Sequence, residues 1–482
     1  MTTPLIAPLD EHNQRLLAYV HPDNWTNPEP APIYDLVVIG GGTAGLVCAA
    51  GAAGLGARVA LVERALLGGD CLNTGCVPSK ALLRSARAVH DARAAAAVGI
   101  RTTVDVDFAA VMTRLRARRA DIAHHDSAAR FASLGVDVFL GQASFMGPRA
   151  VTVDGRTLRF RRAVVATGGR PSAPPIPALA GISHFTSESV FSLTTQPKHL
   201  LVIGGGPIGC EMAQAFALLG SRVTLVDTAS RVLSREDEDA SRIIAARLQR
   251  DGVTLVTSAG DIRDLIAAAD VVLVATGRAP NIDGLNLEAA GIKAGPAGIH
   301  VDDRLRTSNP RVYAAGDVCS PFKFTHAADA MARVVIQNAL FFGRRRASGL
   351  IIPWCTYTFP EVAHVGVSSG EAITIPLTEV DRSVVDEETD GFVRIHHQQG
   401  RVIGATIVAP HAGELIGHVA DVMRRGGSAG DLSAVIFPYP TVAEALRKAG
   451  DTYRRRGLTP LVRRFLHYYF RISRHSWTVR TD

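Results

Sequence analysis

Apolar residues in this chain gather into short unbroken runs that end in glycine, and alanine-rich stretches with helical spacing follow them. Such runs mark strands buried on both faces, and their alternation with helices predicts an α/β fold on parallel sheets. Tyr34-Asp35-Leu36-Val37-Val38-Ile39 predicts a first strand, Leu46–Leu55 a helix, and Arg58–Val62 a second strand ending at Glu63. The order returns with a strand at His199–Ile203, a helix at Glu211–Leu219 and a strand at Arg222–Val226 ending at Asp227. Both ends break the pattern. Met1–Pro32 carries Pro22, Pro28, Pro30 and Pro32 and predicts an irregular arm. At the other end Thr459 is placed to cap a helix with Pro460 at its first position. Leu461, Val462, Phe465, Leu466 and Tyr469 then mark one face, and Arg463, His467, Arg471 and Arg474 another.

Each strand-to-helix turn has glycines in GxGxxG spacing: Gly40, Gly42 and Gly45 in the first copy, Gly204, Gly206 and Gly209 in the second. The first glycine permits the tight turn, the second lets backbone approach a pyrophosphate, and the third lets helix and strand pack closely. The helix N-terminus then holds phosphates. Glu63 and Asp227, each 23 residues after the first glycine of its copy, are placed to accept hydrogen bonds from a ribose. One chain with two complete copies is expected to hold two dinucleotides. Asp227 favours NADH, because a carboxylate repels a 2′-phosphate, while nearby Arg231 leaves NADPH open.

Ala166-Thr167-Gly168 and Ala275-Thr276-Gly277 close the two units, and Gly316-Asp317 follows. These segments resemble those of the two-dinucleotide flavoproteins. The resemblance implies FAD in the first fold, with Thr167, Gly168 and Asp317 among its ligands, and NAD(P)H in the second, with Gly277 among its own.

Between the folds stands Gly68-Gly69-Asp70-Cys71-Leu72-Asn73-Thr74-Gly75-Cys76-Val77-Pro78-Ser79-Lys80. On a helical path Cys71, Cys76 and Lys80 fall near one side, and a helix start or a nearby cation lowers a thiol's pKa. A metal reading of Cys-x4-Cys lacks a second Cys or His pair nearby, and a reading as two unlinked structural cysteines leaves the flanking glycines unexplained. The segment resembles the active-site helix of the flavoprotein disulfide reductases, the class I pyridine nucleotide-disulfide oxidoreductases, with mercuric reductase-like members nearest. The resemblance runs from about Tyr34 to Tyr453. It implies a redox-active disulfide in which Cys71 is the interchange thiol and Cys76 the flavin-side thiol. It also implies that Lys80 approaches the flavin and pairs with Glu211, and that electrons pass from NAD(P)H through FAD to the pair.

From Pro353 the chain looks like the start of this family's dimerisation domain, so a homodimer is expected. Its far end carries a catalytic pair in the family; here Tyr439 stands where thiol-disulfide reductases have histidine, with Glu444 at the family's spacing. A phenol of pKa about 10 is a poor proton shuttle near neutrality, unlike imidazole. Mercuric reductase also has tyrosine here but relays metal through paired C-terminal cysteines, and no cysteine follows Cys355, so that relay is expected to be absent or replaced.

At 482 residues the chain exceeds what one core usually serves, and 47% hydrophobic content with 45 glycines suits a globular α/β protein. Two Rossmann-like dinucleotide-binding domains and a C-terminal α+β dimerisation domain are expected. The arm covers 1–33, the FAD-binding domain 34–196 and 302–350, and the NAD(P)H-binding domain 197–301. The dimerisation domain covers 351–457 and the basic amphipathic tail 458–482. The nicotinamide domain reads as shortened between Gly252 and Val271, short of the family's β-meander. Ten of the Lys and Arg residues but only two Asp fall in 445–482, a net +8 against +7 for the whole chain, so the remainder is near −1. With no basic stripe through the body, nucleic acid is not an expected partner.

No secretory signal is apparent, and a cytoplasmic location is expected, with the tail offering either a peripheral membrane contact or a helix packed on the dimer. His124-His125, and His411, Glu414 and His418, are read as helix-face residues, with no metal assigned. Cys48, Cys210, Cys319 and Cys355 are read as buried small apolar residues. The functional expectation is electron transfer from NAD(P)H through FAD and the Cys71–Cys76 disulfide to a soft metal ion such as Hg(II). The alternatives are reduction of a small disulfide or oxidised sulfur compound, and a flavoprotein redox sensor or membrane-associated interaction protein without turnover.

Overall fold

The computed structural model describes residues 6–172 and 176–478, the side chains of 475–478 apart. The outermost parts of the expected arm and tail, 1–5 and 479–482, lie outside the described residues. The chain divides into two compact units, one of residues 1–234 with 245–350, the other of 235–244 with 351 onwards.

In the first unit the chain order begins α1 (Glu11–Val20), β1 (Tyr34–Ile39), α2 (Thr43–Gly54), β2 (Val59–Glu63), α3 (Gly69–Asn73) and α4 (Cys76–Ala94). It continues through α5 (Phe108–Ala123), α6 (Ala128–Ser133), β3 (Val136–Leu140), β4 (Ser144–Gly147), β5 (Ala150–Val153), β6 (Arg156–Val165) and β7 (Gly169–Pro171). The sheet runs β3-β2-β1-β6-β5-β4; β3, β2, β1 and β6 are parallel, and β6 extends into an antiparallel meander with β5 and β4. Strand β1 is central, and Leu36, Val37 and Val38 have no exposure, which is why its run carries no polar alternation.

The second fold comprises β8 (Phe185–Thr186), β9 (His199–Ile203), α7 (Pro207–Leu218), β10 (Arg222–Val226), α8 (Glu238–Arg250), β11 (Val253–Val256), α9 (Arg263–Ala267), β12 (Val271–Val274) and β13 (Arg278–Pro280). Its sheet, β11-β10-β9-β12-β8, is wholly parallel. The step from β11 to β12 is made by α9 and its flanking loops, where the first fold has its meander. The hairpin of β14 (Ala294–Gly295) and β15 (Gly298–Ile299) follows, and then β16 (Val312–Ala314) pairs in parallel with β6. Helix α10 (Thr325–Leu340) crosses α2 at Gly51, where a Cβ would sit 2.6 Å from Ile336 Cδ1.

The second unit holds β17 (Trp354–Thr356), β18 (Glu361–Gly366), β19 (Glu371–Pro376), α11 (Asp381–Val385), β20 (Phe392–Gln398), β21 (Arg401–Ala409), α12 (Ala412–Arg424), α13 (Glu444–Arg455) and α14 (Pro460–Thr478). Its antiparallel sheet has the order β17-β18-β21-β20-β19. Ala363, Val365, Val393, Ile395, Ala405 and Ile407 form a core with Ile416, Val419 and Val422 of α12 and Leu446 and Ala449 of α13. Arg394 on β20 pairs with Asp237 at 2.6 Å and Asp239 at 2.7 Å, holding 235–244 to this unit.

Two expectations are corrected. The segment 1–33 is not an irregular arm, because α1 is a capped helix: Asp10 Oδ1 accepts from Asn13 N at 2.9 Å, and Leu16 and Val20 are fully buried. The prolines that suggested irregularity all follow it. Nor do Cys71, Cys76 and Lys80 share one continuous helix, since α3 ends at Asn73 and α4 begins afresh at Cys76.

Candidate active site

The two glycine turns are built alike. A Cβ on Gly45 would lie 1.8 Å from the Gly40 carbonyl oxygen, and one on Gly209 would lie 1.8 Å from that of Gly204, so any side chain would pry helix from strand. Gly40 and Gly204 have φ of +106° and +114°, a region only glycine occupies cheaply. Gly42 and Gly206, the N-caps of α2 and α7, face open space: the nearest atom to a Cβ on Gly42 is Gly69 Cα at 3.8 Å, and nothing lies within 4 Å of one on Gly206. Unpartnered N–H groups at both helix starts therefore border room for a pyrophosphate, and the residues fit the two dinucleotides.

Glu63 closes its turn by accepting from Gly41 N at 2.5 Å and Ala65 N at 2.7 Å; Asp227 does the same with Gly205 N at 2.5 Å and Ala229 N at 2.7 Å. Both acids hold the loops that border the cofactor space. Burial pushes the Glu63 carboxyl up from its ordinary pKa, against those two backbone hydrogen bonds.

Thr167, Gly168 and Gly277 lie where the two folds exchange backbone. Strands β7 and β13 pair antiparallel, Thr167 Oγ1 donates to the Asn281 carbonyl at 2.6 Å, Asn281 N donates to that of Gly168 at 3.0 Å, and Ser172 N to that of Gly277 at 3.0 Å.

Cys71 lies on α3 and Cys76 is the first residue of α4, and both are free thiols. Cys76 Sγ is also 3.3 Å from Thr325 Oγ1. The hydrogen bond from Cys71, with smaller help from Thr325 and the Lys80 ammonium, pulls Cys76 down to about 6 despite burial. That same hydrogen bond, with burial, pushes Cys71 up. Burial, with a smaller push from Asp329 on Cys48 and from Asp317 on Cys319, drives both up to about 12, the reverse of Cys76. Cys48 and Cys210 are buried as expected, whereas Cys319 and Cys355 are only partly so. Lys80, one turn into α4, lies 2.9 Å from Glu211 Oε2 on α7, and Glu211 is buried.

The turn between the cysteines is heavily tied. Asp70 Oδ1 accepts from Thr74 Oγ1 at 2.8 Å, and Asn73 Nδ2 donates to the carbonyls of Leu67 at 3.0 Å and Gly69 at 2.8 Å. Asp70 also pairs with Arg278, which lies 3.2 Å from Asp317 and donates to the Gly169 carbonyl at 2.8 Å. Burial pushes the Asp317 carboxyl up, and Arg278 opposes the shift. Sequence reasoning missed Arg278 and Thr325. The one trace of Arg278 was a cation directly after the closing Gly277.

Tyr439 and Glu444 lie in the second unit. Tyr439 is 72% exposed and its hydroxyl donates to Asp381 Oδ2 at 3.1 Å, a bond that raises the phenol's pKa further. Glu444 does not orient it: Glu444 Oε1 accepts from Arg447 at 2.6 Å and Oε2 has no partner.

Two domain descriptions match this chain, pyridine nucleotide-disulphide oxidoreductase over residues 34–332 and its dimerisation domain over 352–450. The chain belongs to the pyridine nucleotide-disulphide oxidoreductase family, as a class I flavoprotein disulfide reductase of the mercuric reductase-like kind. It is 34% identical over 450 residues to a mercuric reductase of Bacillus cereus, covering 87% of this chain and 71% of the relative. It is 32% identical over 448 residues to a dihydrolipoyl dehydrogenase of Bacillus subtilis, covering 86% and 97%. Among solved structures it is similar to the HOCl-induced flavoprotein disulfide reductase RclA from Escherichia coli, at a TM-score of 0.76 and 28% identity over 86% of this chain and 99% of that one. FAD and NAD(P)H are accordingly its cofactors, a redox-active disulfide its working centre and a homodimer its assembly. Among the described residues no helix is long and apolar enough to cross a membrane.

Proposed function

We propose that the protein reduces a soft metal ion such as Hg(II) at Cys71 and Cys76. The observation that carries the reading is Tyr439. It replaces the imidazole by which a disulfide reductase protonates its departing thiolate, and its hydroxyl, bound to Asp381, is held protonated well above neutrality. A soft cation captured by two sulfurs needs no such proton. Cys76, a thiolate above about pH 6, and Cys71, once deprotonated, supply the sulfur ligands. Two electrons from NAD(P)H then convert Hg(II) to the neutral atom, releasing NAD(P)+ and a proton. FAD, when bound, relays that electron pair from the nicotinamide to the sulfur side. Gly42 and Gly206 let backbone approach the two pyrophosphates, and Lys80, held by Glu211, sets the positive charge beside Cys76. Asp227 favours NADH, and Arg231 is turned onto the carbonyls of Leu233 at 3.3 Å and Ser234 at 2.8 Å.

The test is a substrate comparison. Glutathione disulfide reduction should fall below Hg(II)-dependent NADH oxidation by something like the 10²–10⁴-fold of general acid catalysis. Tyr439→His should raise the former and lower the latter. Equal rates in the wild type would contradict the reading. The similarity to a protein named as a flavoprotein disulfide reductase favours reduction of a small disulfide or oxidised sulfur compound as the second reading, and equal rates would support it.

We also infer a peripheral contact of α14 with anionic lipid. Leu461, Phe465, Tyr468, Tyr469 and Ile472 are each at least 55% exposed. Arg463, Arg464, Arg471 and Arg474 share the helix, and it has no acidic residue.

A further inference from the structure

The family match begins at Tyr34, yet the residues before it are built into the first domain. Leu16 and Val20 of α1 belong to its core. The segment after α1 covers the outer edge of β3: Trp25 Nε1 donates to the Val138 carbonyl at 3.1 Å, and Asn27 exchanges bonds of 2.9 and 2.7 Å with the backbone of Leu140. One side chain of α1 reaches deeper. Asn13 has no exposure; its Nδ2 donates to the Pro8 carbonyl at 2.7 Å, and its Oδ1 accepts from Arg119 Nη2 at 2.6 Å. The other terminal nitrogen of Arg119, Nη1, donates to the backbone carbonyl of Asn73 at 2.6 Å. Asn73 ends α3 between Cys71 and Cys76, where a helix's last carbonyls lack partners of their own.

We propose that α1 is a positioning element for the redox-active pair, acting through Asn13 and Arg119 on the carbonyl of Asn73. The proposal rests on the reading of Cys71 and Cys76 as that pair. Arg119 is only 2% exposed, and its two acceptors are neutral. Burial lowers its pKa to about 10, so the guanidinium stays charged and must keep its acceptors. Neighbouring Arg116 takes Asp10, the cap of α1, at 2.5 Å, so that carboxylate is already engaged. If the Asn13 amide is removed, Arg119 must shift to regain an acceptor, and the Asn73 carbonyl shifts with it. This turn joins the two cysteines, and Cys71 is the largest influence lowering the Cys76 pKa.

The experiment follows the thiolate-to-flavin absorbance band of reduced holoprotein against pH, with FAD content measured alongside. Asn13→Ala should raise the midpoint by at least roughly half a unit, a threefold change in the thiolate ratio, without loss of FAD. Asn13→Asp, which restores an acceptor to Arg119, should return it to the wild-type value. An unshifted midpoint in Asn13→Ala overturns the proposal, and so does a shift that Asn13→Asp leaves in place, which would reflect packing. If Asn13→Ala fails to fold, Arg119→Lys, which keeps the charge but loses the two-ended reach, carries the same expectation and the same refutation. Cys76→Ser separates the two readings. A band that survives there removes the thiol assignment; a band lost there, with Asn13→Ala unshifted, removes the brace alone.

Discussion

At the scale of single residues the proposed chemistry turns on Cys76. It starts a helix of 19 residues, lies 3.3 Å from Thr325 Oγ1, and has Lys80 one turn away. A free thiol ionises near 8.5; here the folded value is lowered, so the thiolate present above about 6 is lost as pH falls through that value. The long-wavelength band of reduced protein should therefore persist to about pH 6 and vanish below it. Thr325→Val should move that midpoint up by about one unit, since a hydrogen bond to a charged group is worth about 1.5 kcal/mol. An unmoved midpoint would show that the hydroxyl does not bond the thiolate. Lys80→Met would remove the ammonium 2.9 Å from the buried carboxylate of Glu211. Breaking a fully buried pair costs 3–5 kcal/mol, and the partial exposure of Lys80 brings the expected loss down to about 1–3 kcal/mol by urea denaturation. Adding Glu211→Gln should recover part of it. The contact between Lys80 and Glu211 was legible in the sequence through the resemblance that pairs them. Arg278 and Arg119 were not, because nothing in a linear chain says which carboxylate or carbonyl will fold against an arginine.

At the scale of elements the two strand–glycine–helix–strand units were legible almost to the residue, because the third glycine of each turn has no alternative. Gly45→Ala and Gly209→Ala should each force a clash with the backbone carbonyl five residues earlier, but with different consequences. The first should yield protein depleted of FAD. The second should keep FAD and lose reduction by NADH. Flavin absorbance of the purified variants and anaerobic mixing with NADH distinguish them, and FAD loss from Gly209→Ala would contradict the division of cofactors between the folds. Helix α7 begins at Pro207, ahead of the expected Glu211, because proline suits a helix's first position directly after the Gly206 cap. The prolines after residue 20 masked α1, whose inward Leu16 and Val20 are too few for a clear apolar stripe. The break between α3 and α4 follows from the five-residue spacing, since at about 100° per residue one unbroken helix would set Cys71 roughly 140° away from Cys76.

At the scale of the whole molecule, α14 shows how a pattern can be legible while its partner is not. Val462 N donates to Thr459 Oγ1 at 3.3 Å, so the expected cap is in place. Helical spacing cannot say what covers the exposed aromatic face. Cosedimentation with vesicles containing anionic lipid should retain the intact chain and release a chain ending at residue 457, and equal recovery of the two would remove the lipid contact. The central claim concerns the path of electrons through the homodimer's thiol pair, and anaerobic differential alkylation read by mass spectrometry tests it most directly. After oxidation, Cys71 and Cys76 should resist labelling, and addition of NADH should make both reactive while Cys48 and Cys210 stay unlabelled. Labelling of Cys71 and Cys76 that is the same with and without NADH would contradict the account.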